Sequence, residues 1–251
     1  MCDIVIQGAC GRMGHALAAL IAERDDCRVV AGIDAAQCAD LAFPLYSSLG
    51  EMRETADVMI DFSLPEATKG SLPVCAEKNL PCVICTTGLD DEIKRLMQET
   101  AQKTAIFYSA NMSLGINLLI ELVRRAQKAL PGFDIEIVEK HHHNKLDAPS
   151  GTALALADAI NDAAGGRYHY VYDRHDVRQK RAPDEIGLHA VRSGSFVGQH
   201  EVLFAGPDEV VTLSHEAYSR EVFANGAISA ALFLKAQKPG MYNMRDLMGA
   251  L

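Results

Sequence analysis

Lys140, His141, His142, His143 and Lys145 crowd into one short stretch. The turn Asp147-Ala148-Pro149-Ser150-Gly151-Thr152 follows at once. An imidazole titrates near neutrality, so one of the three histidines can pass a proton to or from a substrate. A lysine can neutralise a carboxylate or supply a proton. Ser150 is a good N-cap, and Gly151 permits close backbone approach. The N–H groups of Gly151 and Thr152, with the Thr152 hydroxyl, can hold a carboxylate at a helix start, where the dipole adds attraction. Zinc binding by the histidines with Glu139 and Asp147 is the competing chemistry. Adjacent histidines rarely converge on one ion, and no H-x-x-x-H spacing is present, so no metal is expected. The plain alternative is a solvated loop without chemistry.

A second group of residues lies near the start. Gly8, Ala9, Cys10, Gly11, Arg12, Met13 and Gly14 read G-x-x-G-x-x-G, after an apolar run and before a helical pattern. Backbone N–H groups at a helix start, with no Cβ in the way, can hold a pyrophosphate. Asp34 stands at the end of the next predicted strand, where a carboxylate can accept hydrogen bonds from an adenosine ribose. A carboxylate there repels a 2′-phosphate, and Ala35 and Ala36 follow it rather than an arginine. NADH is therefore the expected cofactor, with NADPH possible. Thr86-Thr87-Gly88 and Ser109-Ala110-Asn111-Met112 also follow predicted strands. In an open α/β sheet such turns line the ligand crevice. The bland reading of the glycine turn is tight βα packing without ligand, and that of the other two is ordinary turns.

The elements that must position these residues change character along the chain. Strands are expected at residues 3–7, 28–33, 57–62, 81–85 and 104–108, with helices at 12–24, 65–78 and 90–103 between them. That alternation means a parallel sheet with crossover helices. A long amphipathic helix is expected at 114–130. A strand at 133–139, the histidine segment and a helix from Ser150 follow. Residues 174–185 are strongly polar and read as a mobile loop. Strands at 188–192, 199–205 and 209–214 have no helix between them, which favours an antiparallel or mixed sheet. A last helix is expected at 222–236. The fold class is thus α/β: a Rossmann-like dinucleotide-binding domain, then a second α+β domain of mixed or antiparallel sheet.

The net charge of 24 − 33 = −9 argues against nucleic-acid or anionic-membrane binding. No apolar run is long enough to span a bilayer and none resembles a signal peptide, so a cytoplasmic protein is expected. All seven cysteines fall between Cys2 and Cys85, and an odd count without a secretory signal argues for reduced thiols. Cys82 and Cys85 form a lone C-x-x-C within a predicted strand. Side chains alternate there, which speaks against a functional dithiol.

The chain resembles the 4-hydroxy-tetrahydrodipicolinate reductase (dihydrodipicolinate reductase) family over nearly its whole length. The resemblance rests on GACGRMG, on IDFSLPEAT from Ile60, on CTTG from Cys85 and on SANMSLGIN from Ser109. It continues through EKHHHNKLDAPSGTA from Glu139 to FANGA from Phe223. It implies NAD(P)H-dependent reduction of a small cyclic dicarboxylate, with loss of water, in lysine and diaminopimelate biosynthesis. His141 then falls on the catalytic proton-transfer position and Lys145 on the second proton donor. His142, Gly151 and Thr152 fall on substrate-carboxylate positions. Gly8, Ala9, Cys10, Gly11, Arg12, Met13, Asp34, Thr86, Thr87, Gly88, Ala110, Asn111, Met112 and Ser113 fall on cofactor positions. The family's organisation implies a dinucleotide domain from residues 1–111 and 220–251, a substrate and oligomerisation domain from 112–219, closure between them, and a homotetramer. Two other functions stay open on the residues alone. One is a dehydrogenase of the same architecture acting on an amino-acid semialdehyde. The other is a nucleotide sensor without catalysis.

Overall fold

The computed structural model describes residues 1–38 and 41–250. Two compact units divide the chain. One combines Met1–Ser113 with Glu221–Leu251, and the other is Leu114–Arg220.

The first unit is built on a seven-stranded, all-parallel sheet. Its strands are β1 (Cys2–Gln7), β2 (Cys27–Ile33), β3 (Leu45–Tyr46), β4 (Val58–Asp61), β5 (Cys82–Ile84), β6 (Ala105–Tyr108) and, from the far end of the chain, β12 (Gly240–Tyr242). The spatial order 3-2-1-4-5-6, with β12 added beside β6, is the doubly wound order. The strands are apolar runs rather than alternations, because helices cover both faces. Helices α2 (Pro65–Lys78) and α3 (Asp91–Thr100) place Leu72, Ile93 and Met97 in one core cluster with Val5, Met59 and Ile84. Helices α1 (Arg12–Ala22) and α6 (Glu221–Leu234) pack against each other, and α6 lies on β4, β5 and β6. Ala224, Ala227, Ala230 and Ala231 of α6 are fully buried, so small side chains bring this helix close to the sheet. Gly226 is obligatory there: a Cβ would stand 1.7 Å from the Met112 carbonyl oxygen.

Local chemistry sets the helix ends. Pro65 begins α2, where its missing N–H costs nothing, and Asn79 closes it in the left-handed region at φ 49°. Asp90 caps α3 by accepting from the Ile93 N–H at 2.8 Å. A capping box of Asn243 and Asp246 starts the short α7 (Met244–Gly249).

The second unit is a five-stranded mixed sheet with two helices. Its strands are β7 (Asp134–His141), β8 (His169–Val171), β9 (Glu185–Arg192), β10 (Gly198–Ala205) and β11 (Val210–Ala217), in the order β11-β10-β7-β9-β8. β10 runs antiparallel to β7 and β11, while β9 runs parallel to β7 and β8. Leu119 and Val123 of α4 (Leu114–Ala129) and Leu156 and Ile160 of α5 (Gly151–Ala163) join Ile135, Ile137, Ile186, Leu188, Val202 and Phe204 in one core. Each such buried side chain contributes roughly 1.5–3 kcal/mol.

Three expectations need correction. The strand expected to stop at residue 139 runs on to His141, because the inward alternation Ile135, Ile137, Glu139, His141 is unbroken. The polar stretch 174–185 is pinned rather than loose. Arg174 pairs with Glu136 and Glu185, and Arg181 reaches Asp134, Glu136 and the Glu185 carbonyl. The cysteines are not all reduced: Cys10 and Cys38 form a disulfide. The turns after β1 and β2 leave the same edge of neighbouring parallel strands, which brings the two Cα atoms within 5.6 Å despite 28 residues of separation. Cys82 and Cys85 are both buried, and burial pushes both thiols well above their ordinary range.

Candidate active site

In the first unit the expected cofactor residues lie in the segments that follow the carboxyl ends of strands, with Arg12 and Met13 already in the first turn of α1. The glycine turn links β1 to α1, with Gly8 in the left-handed region at φ 81°. A Cβ on Gly8 would meet the Phe62 carbonyl oxygen at 2.8 Å, and one on Gly14 would stand 2.3 Å from the Gly8 carbonyl oxygen. Gly11 is the N-cap of α1 and offers no side-chain cap to the helix start. The turn is therefore a bare backbone cradle at a helix N-terminus. Asp34 stands at the end of β2 and accepts from the Cys10 N–H and the Ala36 N–H, each at 2.9 Å. One carboxylate thus fixes the glycine turn and the loop after β2 together. A cleft of about 580 Å³ opens here, bordered by Gly8, Gly11, Asp34, Ala35, Ser47 and Ser63.

The other turns expected to hold cofactor border a second cleft, of about 340 Å³, with Met13, Phe62, Thr86, Ala110, Asn111 and Phe223 among its walls. Thr86 is buried, while Thr87 and Gly88 are exposed, the glycine at φ 73°. Asn111 folds its own turn: its side-chain oxygen accepts from the Ser113 N–H at 2.9 Å. Met112 and Ser113 are buried.

Phe62 and Ser63 border both clefts, yet the sequence reading gave them no role. They follow β4, which lies beside β1 where the strand order reverses. Fully buried Asp61 shapes that turn by accepting from the Ser63 N–H at 2.9 Å and from the hydroxyls of Ser63 and Thr68, each at 2.5 Å. Gln7 Nε2 ties the turn to β1 by donating to Ser63 Oγ at 3.2 Å.

In the second unit, the inward face of the sheet changes from apolar to ionisable at one end. On β7 Ile135 and Ile137 give way to Glu139 and His141, on β10 Val202 gives way to His200, and on β9 Leu188 gives way to Arg192. The register sets Glu139 opposite His200 and His141 beside Arg192. His141 Nδ1 lies 2.6 Å from Glu139 Oε2. Glu139 is fully buried, and Arg192 grips it with two donors at 2.7 and 2.8 Å. The Ser150 N–H adds a third donor at 3.0 Å. Burial alone would raise the Glu139 carboxyl, but hydrogen bonds from Arg192, His141 and Ser150 outweigh it and hold the carboxyl below its usual range. Glu139 is therefore ionised and accepts only, so His141 Nδ1 carries the proton and Nε2 is the exchangeable nitrogen.

Burial lowers the His141 pKa, and the nearby Lys145 and Arg192 cations add to that, against the pull of Glu139. His200 packs edge-on against His141 with ring centres 5.2 Å apart, and its Nε2 lies 3.0 Å from Ser150 Oγ. Burial, then the neighbouring His141, push its pKa down to about 4. Ser150 Oγ also accepts from the Ala153 N–H at 3.2 Å, which caps α5 and sets Gly151 and Thr152 in the first helical turn. A Cβ on Gly151 would meet nothing within 4 Å, so that helix start has open space before it.

The three consecutive histidines part company. His141 takes Glu139, His143 Nδ1 lies 2.9 Å from the Gly194 carbonyl oxygen in an exposed position, and His142 is half-buried with Nδ1 unpartnered. Lys145 pairs with Asp147 at 2.8 Å, and its ammonium holds that carboxyl below the usual range. Glu139 shares a strand face with His141 only because β7 runs on past residue 139, where the sequence reading ended the strand; the i−2 spacing was the signal that could have found it. Arg192 and His200 come from other strands and had no sequence signal.

Comparison with known proteins completes the assignment. Residues 2–112 match the family model for the dihydrodipicolinate reductase N-terminus, and residues 115–248 match that for its C-terminus. The chain is 53% identical over 248 residues to a 4-hydroxy-tetrahydrodipicolinate reductase of Caldanaerobacter subterraneus subsp. tengcongensis, covering 99% of this chain and 98% of the relative. It is 44% identical over 251 residues to the enzyme of that name from Clostridium tetani, covering 100% and 98%. A solved dihydrodipicolinate reductase from Paenisporosarcina sp. TG-14, with dipicolinate bound, shares the fold at a TM-score of 0.81 and 24% identity, covering 98% of this chain and 99% of that one. A doubly wound unit with a bare glycine cradle, a mixed-sheet unit ending in buried Glu139 and His141, and matches spanning both units place this chain in the dihydrodipicolinate reductase family.

Proposed function

We propose that this chain reduces 4-hydroxy-tetrahydrodipicolinate to tetrahydrodipicolinate with loss of water, using NAD(P)H, in lysine and diaminopimelate biosynthesis. The observation that carries the reading is His141, whose Nδ1 is committed to Glu139, on a strand end tied through Ser150 to the start of α5. The tight glycine turn Gly8–Gly14, which opens α1 with no side-chain cap on its N–H groups, fits a dinucleotide pyrophosphate, and Asp34 fits its adenosine ribose. Thr86, Thr87 and Ala110–Met112 border the remainder of that site, with Gly88 and Ser113 next to them in the chain. When bound, the dinucleotide supplies a hydride.

The chain's own residues handle charge and protons. The first-turn N–H groups of Gly151 and Thr152, with His142, hold substrate carboxylate. Loss of water makes a conjugated ring that accepts hydride at C4, and the neighbouring ring carbon then needs a proton. His141 Nε2 delivers it. Free His141 is held neutral by its burial. The substrate's two negative charges favour the imidazolium, so a proton enters with the substrate and is passed to the ring. Lys145, released from Asp147, neutralises charge that builds in the ring. NADH is preferred over NADPH, because the Asp34 carboxylate is fixed at the β2 end and no arginine follows it. A cytoplasmic homotetramer belongs to the same reading, on the family's organisation.

The test is NADH oxidation with freshly made 4-hydroxy-tetrahydrodipicolinate. His141→Ala should lower kcat on the order of 10²–10⁴-fold with NADH affinity kept. No turnover by the wild type with either dinucleotide overturns the reaction. Equal turnover in the variant moves the proton role away from His141.

A further inference from the structure

We propose that Glu139 and Arg192 are positioning residues, forming one buried clamp that fixes the His141 tautomer and registers it with both the carboxylate-holding helix start and the Lys145 turn. The inference deepens the proposed function and rests on it for the roles of His141 and Lys145.

Three observations carry it. First, the four hydrogen bonds around Glu139 come from three separate parts of the site. Arg192 binds both carboxylate oxygens, the His141 ring takes Oε2 at 2.6 Å, and the Ser150 N–H takes Oε1 at 3.0 Å. Second, Arg192 does not stop at Glu139: its Nη2 also donates to the Asp147 carbonyl oxygen at 2.7 Å. Asp147 is the residue whose carboxylate holds Lys145. The guanidinium is planar and its donors are fixed, so one group can set several acceptors in a single geometry, as a lysine cannot. Third, the far nitrogen of His141 faces a position that has no side chain. A Cβ on Gly198 would stand 3.1 Å from Nε2. Gly198 borders a cleft of about 370 Å³ with Ser195, Phe196, Glu216 and Tyr218. The clamp commits Nδ1 inward and leaves Nε2 to the glycine side.

A fully buried carboxylate with a bidentate arginine is costly to assemble for stability alone, since an apolar pair packs as well without desolvation. Its geometry here serves an imidazole. The groups facing His141 are Glu139 on its own strand, Arg192 on β9, His200 on β10 and Lys145 on the following turn, with His215 on β11 behind His200.

The experiment is NMR titration of ¹⁵N-histidine-labelled full-length protein, with His141 assigned by loss of its signals in His141→Asn. Glu139→Gln removes the anion that favours the imidazolium and should lower the His141 pKa and release the Nδ1–H tautomer. Arg192→Met removes a cation that disfavours it and should raise the pKa. Arg192→Lys keeps the charge but not the fork, so the pKa should stay near wild type while kcat falls on the order of 10²-fold. The dispersed amide spectrum of each variant certifies that the second unit is folded, and dissociation constants for NADH, read by fluorescence, should stay within about twofold. Opposite shifts in Glu139→Gln and Arg192→Met, with kcat lost in all three variants, support the clamp. Shifts of the same sign, an unchanged tautomer in Glu139→Gln, or wild-type kcat in Arg192→Lys overturn it. The NMR arms need no turnover, so failure of the proposed reaction and failure of the clamp are read separately.

Discussion

His200 makes acid stability a quantitative test of the second unit. The residue is 3% exposed and lies in the field of His141, Glu139, His215 and Lys145. Burial and the neighbouring His141 lower its pKa from 6.5 to about 4. The folded state therefore binds this proton less readily than the unfolded chain. Above the unfolded value the group costs nothing; as pH falls from 6.5 towards about 4, stability is lost. Across the whole window the linkage amounts to about 3 kcal/mol, and by about pH 5 to about 2 kcal/mol. The perturbation is His200→Gln, which cannot titrate and can still present a polar group to Ser150 Oγ. Urea unfolding of both proteins at about pH 8 and about pH 5, at one fixed protein concentration, gives a difference of differences. The variant is expected to be weaker at pH 8, yet to lose about 2 kcal/mol less than wild type on going to pH 5. Shared titrations of Glu139 and His141 largely cancel in that comparison. Parallel pH slopes in the two proteins would refute the reasoning, because they would show His200 protonating as easily folded as unfolded.

Three more perturbations probe other parts of the molecule. Gly14→Ala forces a Cβ to within 2.3 Å of the Gly8 carbonyl oxygen and 2.5 Å of that of Ala9, so thermal unfolding should report a loss of about 1–3 kcal/mol together with weakened NADH binding; an unchanged Tm contradicts the packing. Gly198→Ala sets a methyl group 3.1 Å from His141 Nε2 and should lower kcat/KM on the order of tenfold, while NADH binding, measured by fluorescence, holds. Breaking the Cys10–Cys38 bond, with dithiothreitol or by Cys38→Ser, leaves Asp34 to tie the glycine turn to the loop after β2, so the NADH dissociation constant should rise severalfold; identical constants in oxidised, reduced and substituted protein dismiss any role in binding.

Local chemistry made the first unit legible. Asp3–Gln7, the glycine turn and Asp34 declare a strand–turn–helix–strand, and Pro65 marks the start of α2 at its own residue. Elements that lean on neighbours for definition stayed hidden. β3 and β12 are two and three residues long and exist because β2 and β6 offer open edges. The end of β7 was misjudged because charged residues suggested solvent, whereas Glu139, Lys140 and His141 keep the strand's alternation. His141 and Lys145 stood out by composition, but the partners that tune them did not. Arg192 and His200 reach the site only through the register of β9 and β10. The disulfide was invisible for the same reason: its cysteines meet because two parallel strands end side by side.

The division of the chain sets a timetable for its synthesis. The parallel sheet lacks its outermost strand, β12, and the helix α6 that lies on β4, β5 and β6, until Glu221–Leu251 have been made. Between those pieces stands Leu114–Arg220, which a ribosome takes roughly 5–20 s to polymerise. Throughout that interval the part of one sheet face over β4, β5 and β6, beside α1 and fitted to alanines not yet made, is exposed and open to wrong partners. The second unit suffers no such delay, because its five strands and two helices are contiguous in the chain. The nascent protein therefore completes its middle before its beginning, and a chaperone that holds the early strands has the whole of that interval in which to act.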